Sequence, residues 1–205
     1  MISTLADTIV PGLVASEPAP LSFADSLHSR AFLLERPEGD IQVYSAAGAD
    51  FEPARQYLNH GHEAAFGAAS APLFVHEADR AAVEGHMPVR AAFSRRHTLD
   101  DDFEVIPTPG HTPGATAYLW HTGDLRVLFT GDTIFLRDGE WRPAVLDSSD
   151  RAAYLESLLL IRELEFDVLV PWIAAAGGPH HALTTVADTR TRIDAIVQRV
   201  WGSPG

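Results

Sequence analysis

The chain has 205 residues, 46% of them hydrophobic, and sets 28 acidic side chains against 15 basic ones for a formal net charge of −13. That length and balance suit one domain, residues 1–205, with a substantial core, and nothing in the composition points to disorder. The acidity opposes non-specific binding to nucleic acid, and the absence of cysteine excludes disulfides, thiolate metal ligands and a cysteine nucleophile.

In chain order, residues 1–7 lack the basic start and apolar run of a signal peptide, so the cytoplasm is the expected location. Residues 31–35 and 41–44 read as a hairpin across Arg36-Pro37-Glu38-Gly39-Asp40. A short strand over 55–58, a helical turn over 63–69, a strand over 73–75 and a helix over 77–83 follow. Residues 85–99 carry no readable signature, and the small basic cluster 90–96 reads as a solvated segment. Strands are expected over 102–106, 116–120 and 126–129, the last two joined by the turn His121-Thr122-Gly123-Asp124. Ser148-Ser149-Asp150 offers an N-cap for a helix to about residue 164, in which Tyr154, Leu155, Leu158, Ile161 and Leu164 recur near the helical period. Residues 167–171 read as a strand. They open the most membrane-like run of the chain, which is too short and is interrupted at Pro171. Thr184 or Thr185 caps a last helix with the apolar stripe Val186, Ile193, Ile196, Val197 and Val200. Pattern alone gives a mixed α/β chain.

Histidines carry the chemistry. His60 and His62, one residue apart at the end of a strand, share a face because side chains alternate with period 2. His111 stands in the turn Pro109-Gly110-His111-Thr112-Pro113-Gly114, where proline fixes φ and glycine permits tight geometry. Three imidazoles around one ion leave a fourth tetrahedral position open, the arrangement of a catalytic zinc site. Asp132 follows Gly131 directly after an apolar strand; it suits either a site carboxylate or a turn-holding hydrogen bond. Glu63 alternates away from His60 and His62 and is left out of the ligand set. His28, His76, His86, His97 and His121 read as structural or surface residues.

Together Asn59-His60-Gly61-His62-Glu63-Ala64-Ala65, the turn around His111 and Thr130-Gly131-Asp132-Thr133 resemble the metallo-β-lactamase superfamily, whose hallmark is H-x-H-x-D-H, then P-G-H-T-x-G, then G-D, then P-x-H. The resemblance implies a four-layer αββα sandwich in which His60, His62 and His111 bind one metal and Asp132 matches the carboxylate that bridges two. The second site does not carry over. Ala64 and Ala65 replace its Asp and His, and after the strand 167–171 the chain continues with Trp172 in place of a late histidine. Loss of every exclusive ligand of one site, with the other intact, implies a specialised single-zinc hydrolase. Asp132 would then orient or deprotonate water against a small ester, thioester or lactone. Substrate is expected in the space beside Ala64 and Ala65. Trp172 walls that pocket or packs in the core, and His180 or His181 is a candidate to swing back toward it. The alternative is a pseudoenzyme that binds a ligand or partner on the same fold.

Overall fold

The computed structural model describes residues 10–202, so the start read as lacking a signal peptide lies outside the described residues. The first half holds β1 (Leu13–Ala15), β2 (Ala19–Leu21), β3 (Ala24–Ser29), β4 (Phe32–Leu34), β5 (Ile41–Val43), β6 (Arg55–Tyr57), β7 (Leu73–His76), α1 (Arg80–Glu84), β8 (Ala91–Phe93) and β9 (His97–Leu99). The second holds β10 (Phe103–Pro107), β11 (Thr116–His121), β12 (Arg126–Gly131), β13 (Phe135–Arg137), β14 (Glu140–Arg142), α2 (Arg151–Glu163), β15 (Val168–Pro171), β16 (Ile173–Ala175), β17 (Ala182–Leu183) and α3 (Val186–Trp201). Short 3-10 turns cover Gly61–Ala65 and Glu77–Asp79.

Two six-stranded sheets, ordered β1-β4-β5-β6-β7-β8 and β17-β15-β12-β11-β10-β9, form the sandwich, with a smaller sheet β14-β13-β16-β3-β2. Period-2 alternation sorts the side chains of the second sheet. Val105, Tyr118, Phe129 and Val170 face Leu34, Ile41, Val43 and Tyr57 of the first sheet, while Ile106, Leu119, Leu128 and Leu169 meet Tyr154, Leu158, Ile161, Ile193 and Ile196 of α2 and α3. On the far side of the first sheet, Leu73 and Val75 pack with Val83 and Met87. Helix, sheet, sheet, helix is therefore the layering. None of the described helices is long and apolar enough to cross a membrane.

The 31–44 hairpin forms as expected, with Phe32 opposite Val43. Residues 85–99, unreadable in sequence, supply β8 and β9, three-residue strands pairing with β7 and β10. The helix expected over 77–83 begins as a 3-10 turn and becomes α-helical only at Arg80.

Tyr44 ties the two large sheets together. It is fully buried; its hydroxyl accepts from Gly131 N at 2.8 Å and donates to Val170 O at 2.8 Å. Tyr44→Phe leaves two backbone groups without this partner in the core, an expected cost of about 2–6 kcal/mol at about 1–3 for each. Calorimetry should register a fall in Tm of roughly 4–24 °C, and an unchanged Tm would refute the tie.

Candidate metal centre

The ligand loop is helical rather than extended. β6 ends at Tyr57, and His60 is the N-cap of the 3-10 turn Gly61–Ala65, so His60 and His62 meet across a tight turn instead of sharing a strand face. The expected helical turn over 63–69 accordingly starts earlier and ends at Ala65. Glu63 organises this turn from within. Its buried carboxylate accepts from Ser45 N at 3.1 Å, Asn59 N at 2.9 Å and His60 N at 3.2 Å. Sequence reasoning passed over this role; the His60-to-Glu63 spacing of a capping box was its available signal.

Asn59 fixes the His60 ring, with the same carboxylate close beside it. Nδ1 lies 3.1 Å from Glu63 Oε1 and 3.0 Å from Asn59 Oδ1, both acceptors, so Nδ1 carries the proton and Nε2 the lone pair. His111 is set in the same way: Nδ1 donates to Ala144 O at 2.6 Å, leaving Nε2 unprotonated. Gly110, at φ 139°, lies against the Tyr154 backbone where no side chain fits, so α2 presses the His111 turn into place.

Asp79 joins the two ligand loops. Buried at the foot of α1, it accepts from Gly61 N at 2.8 Å, between His60 and His62, and from Thr112 Oγ1 at 2.6 Å and Gly114 N at 2.9 Å, just past His111. Gly114 packs so closely on Asp79 that a Cβ there would sit 2.6 Å from its carboxyl carbon.

One ligand nitrogen from each of His60, His62 and His111 falls within 4.8 Å of the others, the one such cluster among the described residues. His62 Nδ1 is 3.2 Å from His111 Nε2, and Asp132 Oδ2 is 3.6 Å from Nε2 of both His60 and His111. Tyr154 of α2 supports the Asp132 loop, donating to the backbone oxygens of Asp132 and Thr133. Burial, then the closeness of His62, pushes His60 down to a pKa of about 3; burial, then His60, does the same to His111 at about 3. Both rings are neutral donors at neutral pH. Burial, then Glu63, raises the Asp132 carboxyl well above the ordinary range, a shift that a neighbouring cation opposes. Among the described residues, buried His60 Nε2 and Asp132 Oδ1 have no hydrogen-bond partner. Lone pairs converging from neutral imidazoles beside an unpartnered carboxylate oxygen fit a divalent cation.

A cavity of about 560 Å³ opens over this cluster, with His62, His111 and Asp132 at its floor and Phe23, Phe66, Phe135, Leu146, Trp172 and Ile173 among its walls. No arginine lines it among the described residues. Of the residues expected around substrate, Ala65 lines the cavity, and Trp172 both lines it and stacks edge-on to His60 at 5.3 Å. Ala64 instead packs with Leu58 and Val83, because the helical turn sends successive side chains to different sides. His180 and His181 line a separate cavity, carried there by the turn after β16.

A family model for the metallo-beta-lactamase superfamily matches residues 40–171. The chain belongs to that superfamily. Among solved structures it is similar to the metallo-β-lactamase FIM-1 from Pseudomonas aeruginosa in its mono-zinc form, at 15% identity over 91% of this chain and 93% of that one, with a TM-score of 0.66. It is also similar to an archaeal superfamily protein from Sulfolobus tokodaii, at 16% identity over 90% and 85% of the two chains with a TM-score of 0.62. The dizinc quorum-quenching lactonase AidC aligns at 13% identity over 79% and 78%, with a TM-score of 0.53. No curated protein matches the sequence. These likenesses establish the metallo-β-lactamase fold.

Proposed function

We propose that this metallo-β-lactamase-fold protein is a hydrolase that holds a single zinc ion on His60, His62 and His111 and cleaves a small, neutral ester, thioester or lactone with an apolar acyl portion. The observation that carries the reading is the three-imidazole cluster, two of whose rings, His62 and His111, floor a cavity walled largely by aromatic and aliphatic side chains. A bound zinc ion supplies Lewis-acid polarisation of a carbonyl and lowers the pKa of water to about 7. The chain supplies the rest. Asp132 stands 3.6 Å from two of the ring nitrogens, placed to take the proton of an attacking water and pass it to the departing alkoxide or thiolate. Trp172, Phe66 and Phe23 offer an apolar bed for the acyl chain. No arginine lines the cavity among the described residues to hold the carboxylate of a β-lactam or the anion of a phosphodiester in a two-pronged ion pair, which favours neutral substrates. Ala64 and Ala65 cannot bind a second ion, which favours substrates with good leaving groups. AidC, a lactonase on the same fold, supports including lactones.

The test is a panel of p-nitrophenyl esters of increasing acyl length, with acyl thioesters, γ-lactones, a chromogenic cephalosporin and a phosphodiester. Burial of each methylene is worth about 0.8 kcal/mol, so kcat/KM should rise roughly fourfold per added carbon until the cavity is filled. Preference for the cephalosporin or the phosphodiester, or no dependence on chain length, would overturn the substrate class. Tight metal binding with no turnover on any member would instead make the chain a ligand-binding pseudoenzyme.

A further inference from the structure

We propose that a second cavity, sharing no lining residue with the one over the histidine cluster, is a binding site for a short-chain monocarboxylate whose head is held by Arg30. The cavity, about 100 Å³, lies at the end of the sandwich interior between β1, β4 and β15 and the turn 178–181. Its walls are apolar: Leu13, Ala15, Phe32, Val168 and Val170. Three polar side chains join this lining: Arg30 at 9% exposure and His180 at 7%, both more than nine-tenths buried, and the half-buried His181.

Arg30 is the informative residue. Its NH1 donates to Ser16 O at 2.6 Å, but among the described residues it has no ion pair, and its buried Nε has no acceptor. Burial pulls its pKa down, with Glu17 opposing from beyond ion-pair range, yet a guanidinium remains charged at any ordinary pH. A buried charge without an ion-paired partner is costly, and an anionic ligand in the cavity would supply that pair. His180 stands beside it as a neutral ring, because burial and then the charge of Arg30 press it down to about 3, and its buried Nδ1 also has no partner among the described residues. One fixed positive charge, one neutral imidazole and an aliphatic wall match a monoanion with an apolar tail better than sulfate or phosphate, which demand several donors. A water occupies about 10–15 Å³ on this measure, so the space takes roughly seven to ten atoms, enough for propionate, butyrate or valerate.

The experiment is calorimetric titration of the metal-loaded protein with butyrate, its neutral isostere butyramide, and sulfate. Butyrate should bind with 1:1 stoichiometry and at least tenfold more tightly than butyramide, with no sulfate binding. Arg30→Met should abolish the butyrate signal. If that variant fails to fold by circular dichroism, Ala15→Leu decides, because it keeps the guanidinium and fills the cavity. His62→Ala and His111→Ala should leave butyrate affinity unchanged, which separates this site from the metal reading. Equal binding of butyrate and butyramide, butyrate binding that survives Arg30→Met or Ala15→Leu, its loss in the histidine variants, or no binding at all would overturn the proposal.

Discussion

Replacing His111 or His62 with alanine should strip the metal from the protein and abolish turnover on every substrate that the wild type accepts. Each ring contributes one of three nitrogens gathered within 4.8 Å, and the described residues hold no second cluster to take over. If the roughly 10–16 kcal/mol of a four-ligand zinc site is shared evenly, one ligand is worth about 2.5–4 kcal/mol, or two to three orders of magnitude in affinity. Asp132 does not compensate, because its nearer oxygen already lies 3.6 Å from the His60 and His111 nitrogens and would have to move to fill a vacated position. Elemental analysis of protein purified without added zinc should give close to one equivalent for wild type and near zero for both variants. His97→Ala is the control: that ring is exposed on β9 and bonds to the backbone of Arg95, so metal and activity should be retained. Full metal content after His111→Ala, or equal loss after His97→Ala, would remove the basis of the three-histidine centre.

What the sequence disclosed followed from how local its signals were. The inner strands of the second sheet, β10, β11, β12 and β15, were readable because they are largely apolar on both faces, giving runs such as Val127-Leu128-Phe129 that need no neighbour to be recognised. Both long helices announced their starts: Asp150 accepts from the amides of Ala152 and Ala153, and Thr185 from that of Asp188. The histidines stood out by spacing and by the proline-glycine turn around His111. Among three-residue strands, β4 and β5 were betrayed by the Pro37-Glu38-Gly39-Asp40 turn between them, whereas β1, β8 and β13 have no such turn to mark them and include half-exposed side chains, so they were not readable. The orienting carboxylates were hidden for a different reason. Asp79 looks like any acidic residue at a helix start, and its meaning lies in Gly61, Thr112 and Gly114, up to 35 positions away. Arg30 likewise gains its significance only when β1, β4 and β15 enclose it.

Glu63 should prove as necessary to the centre as a ligand, without touching the metal. Its carboxylate gathers three backbone amides and lies beside the Nδ1 of His60, and burial drives its pKa well above the ordinary range while those amide donors oppose the shift. Glu63→Ala abandons the three backbone amides in the core at once while Asn59 still holds the His60 ring; at about 1–3 kcal/mol for each unsatisfied group, the loss approaches the whole stability of a domain, and failure to fold is the expected outcome. Glu63→Gln is the sharper variant. An amide nearly matches the shape, but its NH2 must face at least one N–H that the carboxylate accepted, either Ser45 or the Asn59–His60 pair. It should therefore fold with a stability loss of about 1–3 kcal/mol and also weaken zinc about 10- to 100-fold, as the partners of metal-binding imidazoles generally do. Ile196→Ala separates positioning from mere destabilisation. That residue lies in the core between α3 and the second sheet, and its truncation should cost about 2–5 kcal/mol while leaving zinc affinity unchanged. If Glu63→Gln and Ile196→Ala lowered zinc affinity in the same proportion to their stability losses, Glu63 would be a structural residue like any other, and the orientation of His60 would have to come from Asn59 alone.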